Sequence, residues 1–170
     1  MFDYIPIREY RVKRSKILRL LGGFFKILSK INRDWVFSMS LRNRLYRMMG
    51  VNISTRSYVA RETWIDDNFP ELITIEEGVV IGWRSSIIAH NTQMMPPSVA
   101  PICIKKHAFL GQGVIVMPGV TIGEYAQIGT CSLVNKDIEP YTVAVGVPAK
   151  PIRKLTQDEI DLRNSTKYLG

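Results

Sequence analysis

The sequence predicts a mainly β fold, a parallel β-helix of about four three-sided coils, with helical segments before and after it. Three observations carry that prediction. From Ile104 onward the chain reads IKKHAF, LGQGVI, VMPGVT, IGEYAQ, IGTCSL, VNKDIE, with an aliphatic residue opening every block of six. An earlier stretch keeps the same beat, with Ile53, Val59 and Ile65 and then Ile75, Ile81 and Ile87 opening their blocks. Apolar residues make up 46% of the 170-residue chain, enough for one domain with its own core.

A period of six fits neither the 3.6-residue helix nor a simple alternating strand. Each block supplies one short strand and one turn, and three blocks close a triangular coil. Coils then stack about 4.8 Å apart through strand-like hydrogen bonds. The leading aliphatics point into the prism. Four positions after each come Ala108, Val114, Val120, Ala126, Ser132 and Ile138, mostly small or apolar. Glycine follows the leading aliphatic at 111, 123 and 129, where it is expected to permit a turn with positive φ. The step from Ile65 to Ile75 is four residues too long, which places an insertion near PELI. The step from Ile87 to Ile104 is 17, which places a larger excursion between them.

The run IGWRSSIIAHNT, together with the unbroken hexads and the closing GVPAKPIRKL, resembles the hexapeptide-repeat acyltransferases over about residues 50–155. The resemblance is closest to the acetyl-CoA-dependent branch of galactoside, maltose, xenobiotic and polysaccharide acetyltransferases. It implies a left-handed β-helix, the opposite of the usual right-handed crossover. It also implies a homotrimer with active sites between subunits.

Only two histidines are present. His107 falls at a turn position in IKKHAF and reads as a solvated turn. His90 ends a coil and opens the excursion, and IIAHNT matches the place where the resembled enzymes carry their general base. Moving an acetyl group from a thioester to a hydroxyl requires a group that takes the hydroxyl proton. An imidazole, with an ordinary pKa of about 6.5, suits that task. If the extra residues after Phe69 bulge outward, the block opened by Ile65 lies one coil below that opened by Ile87. Asn68 then stacks beneath His90, with Asp66 and Asp67 beside it. The three are expected to bind acceptor hydroxyls or to orient the imidazole; a solvated turn is the alternative. The loop QMMPPSVAPIC, Gln93 to Cys103, is too apolar for free solvent and is expected to pack against a neighbouring subunit, the acceptor or the pantetheine arm.

The pantetheine arm of acetyl-CoA needs a narrow groove lined by small residues, for which Gly111, Gly129 and Thr130 are candidates. Alignment with the resembled enzymes places Phe109 where they carry tryptophan beside that arm. Lys136, Lys150, Arg153 and Lys154 gather near the last coil and are expected to meet the phosphates. No metal is expected. The zinc carbonic anhydrases that share such a coil need three histidines, and two are present. Cys103 and Cys131 have no zinc-site or disulfide spacing.

Charge divides the chain. Residues 1–50 hold twelve Lys and Arg against three Asp and Glu, and residues 51–170 hold eleven against twelve. The basic character therefore belongs to the N-terminal segment, which argues against nucleic acid and toward an anionic neighbour. Residues 13–31 form a basic amphipathic stretch that could lie on an anionic membrane surface or pack on the prism. A helix from Trp35 to Met49 should end at Gly50, and a last helix should start at Thr156, with Glu159 completing a capping box. The expected division is a basic helical segment over 1–50, the β-helix over 51–155 and a C-terminal helix over 156–170. No apolar leader follows Met1 to Tyr10, so the expected setting is cytoplasmic, at the inner membrane surface if the basic segment binds it. The expected activity is acetyl transfer from acetyl-CoA to a hydroxyl of a sugar or glycan of capsule, exopolysaccharide or lipopolysaccharide type. N-acetylation of an amino sugar and a non-catalytic β-helix scaffold are the alternatives.

Overall fold

The structure, a computed structural model, describes residues 4–13, 24, 27–28, 30–31, 38–93 and 95–165. The chain enters through strand β1 (Ile5–Pro6), helix α1 (Ile7–Lys13) and helix α2 (Met39–Met49). It then winds as a left-handed parallel β-helix. One face of the prism stacks β2 (Asn52–Ile53), β5 (Ile73–Ile75), β10 (Ile102–Ile104) and β13 (Thr121–Ile122). The second stacks β3 (Tyr58–Val59), β6 (Val80–Ile81), β11 (Phe109–Leu110), β14 (Gln127–Ile128) and β16 (Thr142–Val145). The third stacks β4 (Trp64–Ile65), β7 (Ser86–Ile87), β12 (Ile115–Val116) and β15 (Leu133–Val134).

Register explains the six-residue beat. Ile65 pairs with Ile87, Ile87 with Val116 and Val116 with Val134, and the other faces repeat the arrangement. Every leading aliphatic is thus buried above its counterpart, and each contributes about 1.5–3 kcal/mol of burial. The insertion near PELI contains a 3₁₀ turn over Pro70–Leu72, while Phe69 stays inside the core.

The corners correct one expectation. Gly111, Gly123 and Gly129 do not hold the positive-φ positions. They are glycine because a Cβ there would come within 2.4–2.7 Å of an atom of the next coil. The left-handed positions are held instead by Glu62, Arg84, His107, Tyr125, Cys131 and Tyr141, beside Gly78 and Gly113. Each such side chain costs about 1–2 kcal/mol of backbone energy. Stacking offsets part of it. His107 keeps its expected turn position, but its ring lies on Tyr125 at 4.7 Å and Tyr125 on Tyr141 at 5.4 Å, so it is part of a ring ladder.

The open end of the first coil is covered, as a solenoid end requires. Below the first coil, α2 turns its buried face to the open carbonyls. Arg42 donates to Val59 O at 2.7 Å and Asn43 to Ser57 O at 2.8 Å. Burial pushes the Arg42 guanidinium below its ordinary pKa. Gly50 ends α2 in the left-handed conformation, its N–H bonded to the carbonyls of Tyr46 and Arg47. Above the last coil, β17 (Lys150–Lys154) folds back antiparallel on β16. Helix α3 (Gln157–Ser165) follows, opened by the expected capping box: Thr156 N–H donates to Glu159 Oε2 and Glu159 N–H to Thr156 Oγ1. Most of the 13–31 stretch, and the first turn expected at Trp35, lie outside the described residues. Among the described residues no helix is long and apolar enough to cross a membrane.

Candidate active site

The second coil closes at Ile88, whose N–H still donates to Val116 O, and the chain then leaves the prism. His90 and Asn91 form β8, which turns back antiparallel to β9 (Ser98–Val99), with His90 opposite Val99. Ala100 N–H donates to Ala89 O at 3.0 Å and closes the neck of this hairpin. The coil resumes at Ile102, two residues before the repeat shows it. The expected apolar loop is therefore a hairpin over 90–99, and its β9 side packs against β1 of the same chain.

Directly below, Asp66 follows the last residue of β4, and its backbone N–H donates to Ile87 O. Its carboxylate rises one coil. Oδ1 accepts from Asn68 N–H at 3.0 Å, and Oδ2 accepts from Ala89 N–H at 3.0 Å and pairs with His90 Nδ1. The Asp66 side chain has 0% exposure and the His90 side chain 18%. A carboxylate only accepts, so Nδ1 carries the proton and the lone pair of Nε2 faces away from Asp66. Among the described residues nothing bonds to Nε2. Trp64 meets the imidazole edge-on at 6.4 Å and Phe69 lies 5.8 Å away, so one side of the ring is walled by aromatic carbon.

Of the two roles expected for Asp66, Asp67 and Asn68, the contact between Asp66 and His90 fits orientation of the imidazole. Counting on from the Ile65–Ile87 pair does put Asn68 level with His90. The chain turns at Asp66, however, and it is Asp66 whose side chain reaches the imidazole. Fully buried, Asp66 is not placed to meet an acceptor. Asp67 and Asn68 are half-buried beside it, with Asn68 Nδ2 and Asp67 Oδ1 3.4 Å apart.

Of the expected cofactor residues, Phe109 lies on the outer surface of the second face with the Arg163 guanidinium 5.8 Å over its ring. Burial pushes the Arg163 pKa below its ordinary value. Gly111 and Gly129 lie at the following corner, with Thr130 exposed beside Gly129. A Cβ on Gly111 would meet Thr130 N at 2.7 Å, so these residues already form one tight column. Lys136 and Lys150 are exposed. Arg153 is half-exposed and ion-paired. Its two terminal nitrogens donate to the two oxygens of Glu159 at 2.8 and 2.7 Å, which fastens α3 to β17. That pairing raises the Arg153 pKa and holds Glu159 at about 2. Lys154 is likewise paired with Glu139 at 2.8 Å.

A charged cleft of about 590 Å³ lies elsewhere, among Glu76, Lys105, Lys106, Glu124, Asp137 and Glu139. None of the expected site residues lines it. Among the described residues no group of three or more His, Cys, Asp or Glu side chains could hold a metal ion.

No family model matches the chain. Chloramphenicol acetyltransferase of Agrobacterium fabrum is 48% identical over 68 residues, which are 39% of this chain and 32% of that protein. The chain spans about a third or less of the length of the curated relatives it matches. A hexapeptide-repeat acetyltransferase of Vibrio cholerae, solved in complex with acetyl coenzyme A, superposes with a TM-score of 0.70 at 22% identity, over 84% of this chain and 91% of that one. A maltose O-acetyltransferase of Clostridium difficile gives 0.66 at 23% identity, over 84% and 90%. At these identities the likeness shows the fold.

Proposed function

We propose that this chain, which has the fold of the hexapeptide-repeat acetyltransferases, moves an acetyl group from acetyl-CoA to a hydroxyl of a sugar or glycan, with His90 as general base. The observation that carries this reading is the buried Asp66 carboxylate on Nδ1 of a mostly buried, still accessible histidine where the chain leaves coil 2. Asp66 fixes the tautomer and the ring plane. His90 Nε2 takes the hydroxyl proton as the acceptor oxygen bonds to the thioester carbonyl carbon. When the tetrahedral adduct collapses, the C–S bond breaks and the imidazolium returns that proton to the departing thiolate. Asp66 stabilises the imidazolium between these steps.

Several features support the finer parts. The glycan acceptor is supported by the maltose O-acetyltransferase likeness. Asp67 and Asn68, at the rim, are the residues proposed to meet acceptor hydroxyls. Phe109, Gly111, Gly129 and Thr130 are proposed to flank the pantetheine arm, and exposed Lys136 and Lys150 to meet its phosphates. The open side of His90 is proposed to face a neighbouring copy in a homotrimer. The basic charge of residues 1–50 supports a site at an anionic membrane surface.

The test is acetyl-CoA turnover against a panel of sugars, amino sugars and glycans, with wild type beside His90→Ala. O-acetylated product from wild type alone supports the reading. N-acetylated product alone replaces the acceptor, and equal turnover by both proteins removes His90 from the chemistry.

A further inference from the structure

The N-terminal residues reach the site by a route the repeat does not supply. Ile5 pairs with Val99 and Pro6 with Ser98, along the edge of β9 that β8 leaves open. The Ile7 N–H donates to Pro97 O at 2.8 Å. The Tyr4 hydroxyl donates to Pro118 O at 3.0 Å, which ties the strand to the coil above. Tyr10 crosses to the far wall of the site. Its hydroxyl donates to Glu71 Oε1 at 3.1 Å, and its ring meets Phe69 edge-on at 5.6 Å. Phe69 in turn lies against His90. Residues 4–10 therefore touch the hairpin that carries the imidazole and the aromatic ring that backs it.

A hairpin of two short strands is marginal by itself, and a third strand is the usual remedy. The faces of the prism pair among themselves without β1, so the strap adds nothing to their ladders. We infer that residues 4–10 are a positioning strap for His90, acting through β9 on its backbone and through Tyr10 and Phe69 on its ring. The inference rests on His90 being the base. Misplacement of a reacting group by about 1 Å can cost about a hundredfold in rate, so small slack in the strap is visible in turnover.

Full-length variants test it. Ile7→Pro removes the N–H that reaches Pro97 at the first position of α1, where proline is tolerated; Ile7→Ala keeps the N–H and loses the side chain. Tyr10→Ala removes the ring; Tyr10→Phe keeps it. The readouts are kcat, KM for acetyl-CoA and amide exchange along the chain. Ile7→Pro and Tyr10→Ala should each lower kcat about tenfold or more. Their acetyl-CoA KM should stay within about twofold, because the column at Gly111 and Gly129 is untouched. Exchange should quicken over 90–99 while 102–145 stays protected, and Ile7→Ala and Tyr10→Phe should lie close to wild type. Unchanged kcat with unchanged exchange at 90–99 overturns the strap, as does a loss of protection spread equally through the coils. If wild type turns over no acetyl-CoA, the proposed reaction fails, and exchange over 90–99 still decides whether the strap holds the hairpin.

Discussion

The prism and the hairpin at 90–99 are built on opposite plans. In the prism each residue's neighbours are its own counterparts one coil away, so Ile53 lies against Ile75, Ile75 against Ile104 and Ile104 against Ile122. At the hairpin nothing repeats. His90 meets Asp66, 24 positions earlier, and its hairpin pairs with a strand that begins at Ile5. A uniform stack stabilises every coil alike and so cannot set one residue apart. The chain departs from it once at length, and the Asp66–His90 pair stands at that departure. Stability should therefore reside in the repeat and chemistry in the break.

That contrast can be broken from either side. The largest expected effect is on the chemistry. His90→Ala should lower turnover by about 10²–10⁴-fold while the thermal midpoint barely moves, which parallel kinetics and melting curves would show. Next comes the repeat. Ile104→Ala opens a cavity in the middle of a face and should destabilise the fold by about 2–5 kcal/mol in chemical denaturation, with turnover per folded molecule kept. Loss of both properties in either variant would erase the division. The smallest effect is at the top cap. Glu159 is held at about 2, below its ordinary 4.5, chiefly by Arg153. A depressed carboxylate contributes stability above its ordinary pKa, and that contribution is lost as pH falls from 4.5 toward 2. Amide exchange in α3 should rise across that window, and Glu159→Gln should abolish the pH dependence while leaving the coils protected.

The sequence displays the prism because period six is written in residues that must be buried. It displays the break for the same reason, since a missing beat is as visible as a present one. Three things were hidden. The glycines at 111, 123 and 129 look like turn formers, but clearance between coils requires them, and the left-handed corners went to residues such as Tyr125 and Arg84. Counting from Ile65 points to Asn68, because it tracks Cα level and cannot follow a side chain around the turn at Asp66. A closer signal was available: the first polar residue after Ile65 sits where the coil above has Ile88, beside the neck at Ala89. The strap left no trace, because a two-residue strand, Ile5–Pro6, has no period and its partner Val99 is far along the chain.

If Asp66 and His90 act as one unit, a double-mutant cycle on kcat will show it. His90→Ala, Asp66→Asn and the pair would be compared at saturating acetyl-CoA, with amide exchange confirming that each folds. If Asp66 works only by orienting and stabilising the imidazole, removing it from the His90→Ala protein costs nothing more, and the double variant matches His90→Ala alone. Losses that multiply would contradict the account, because Asp66 would then be acting on something other than His90.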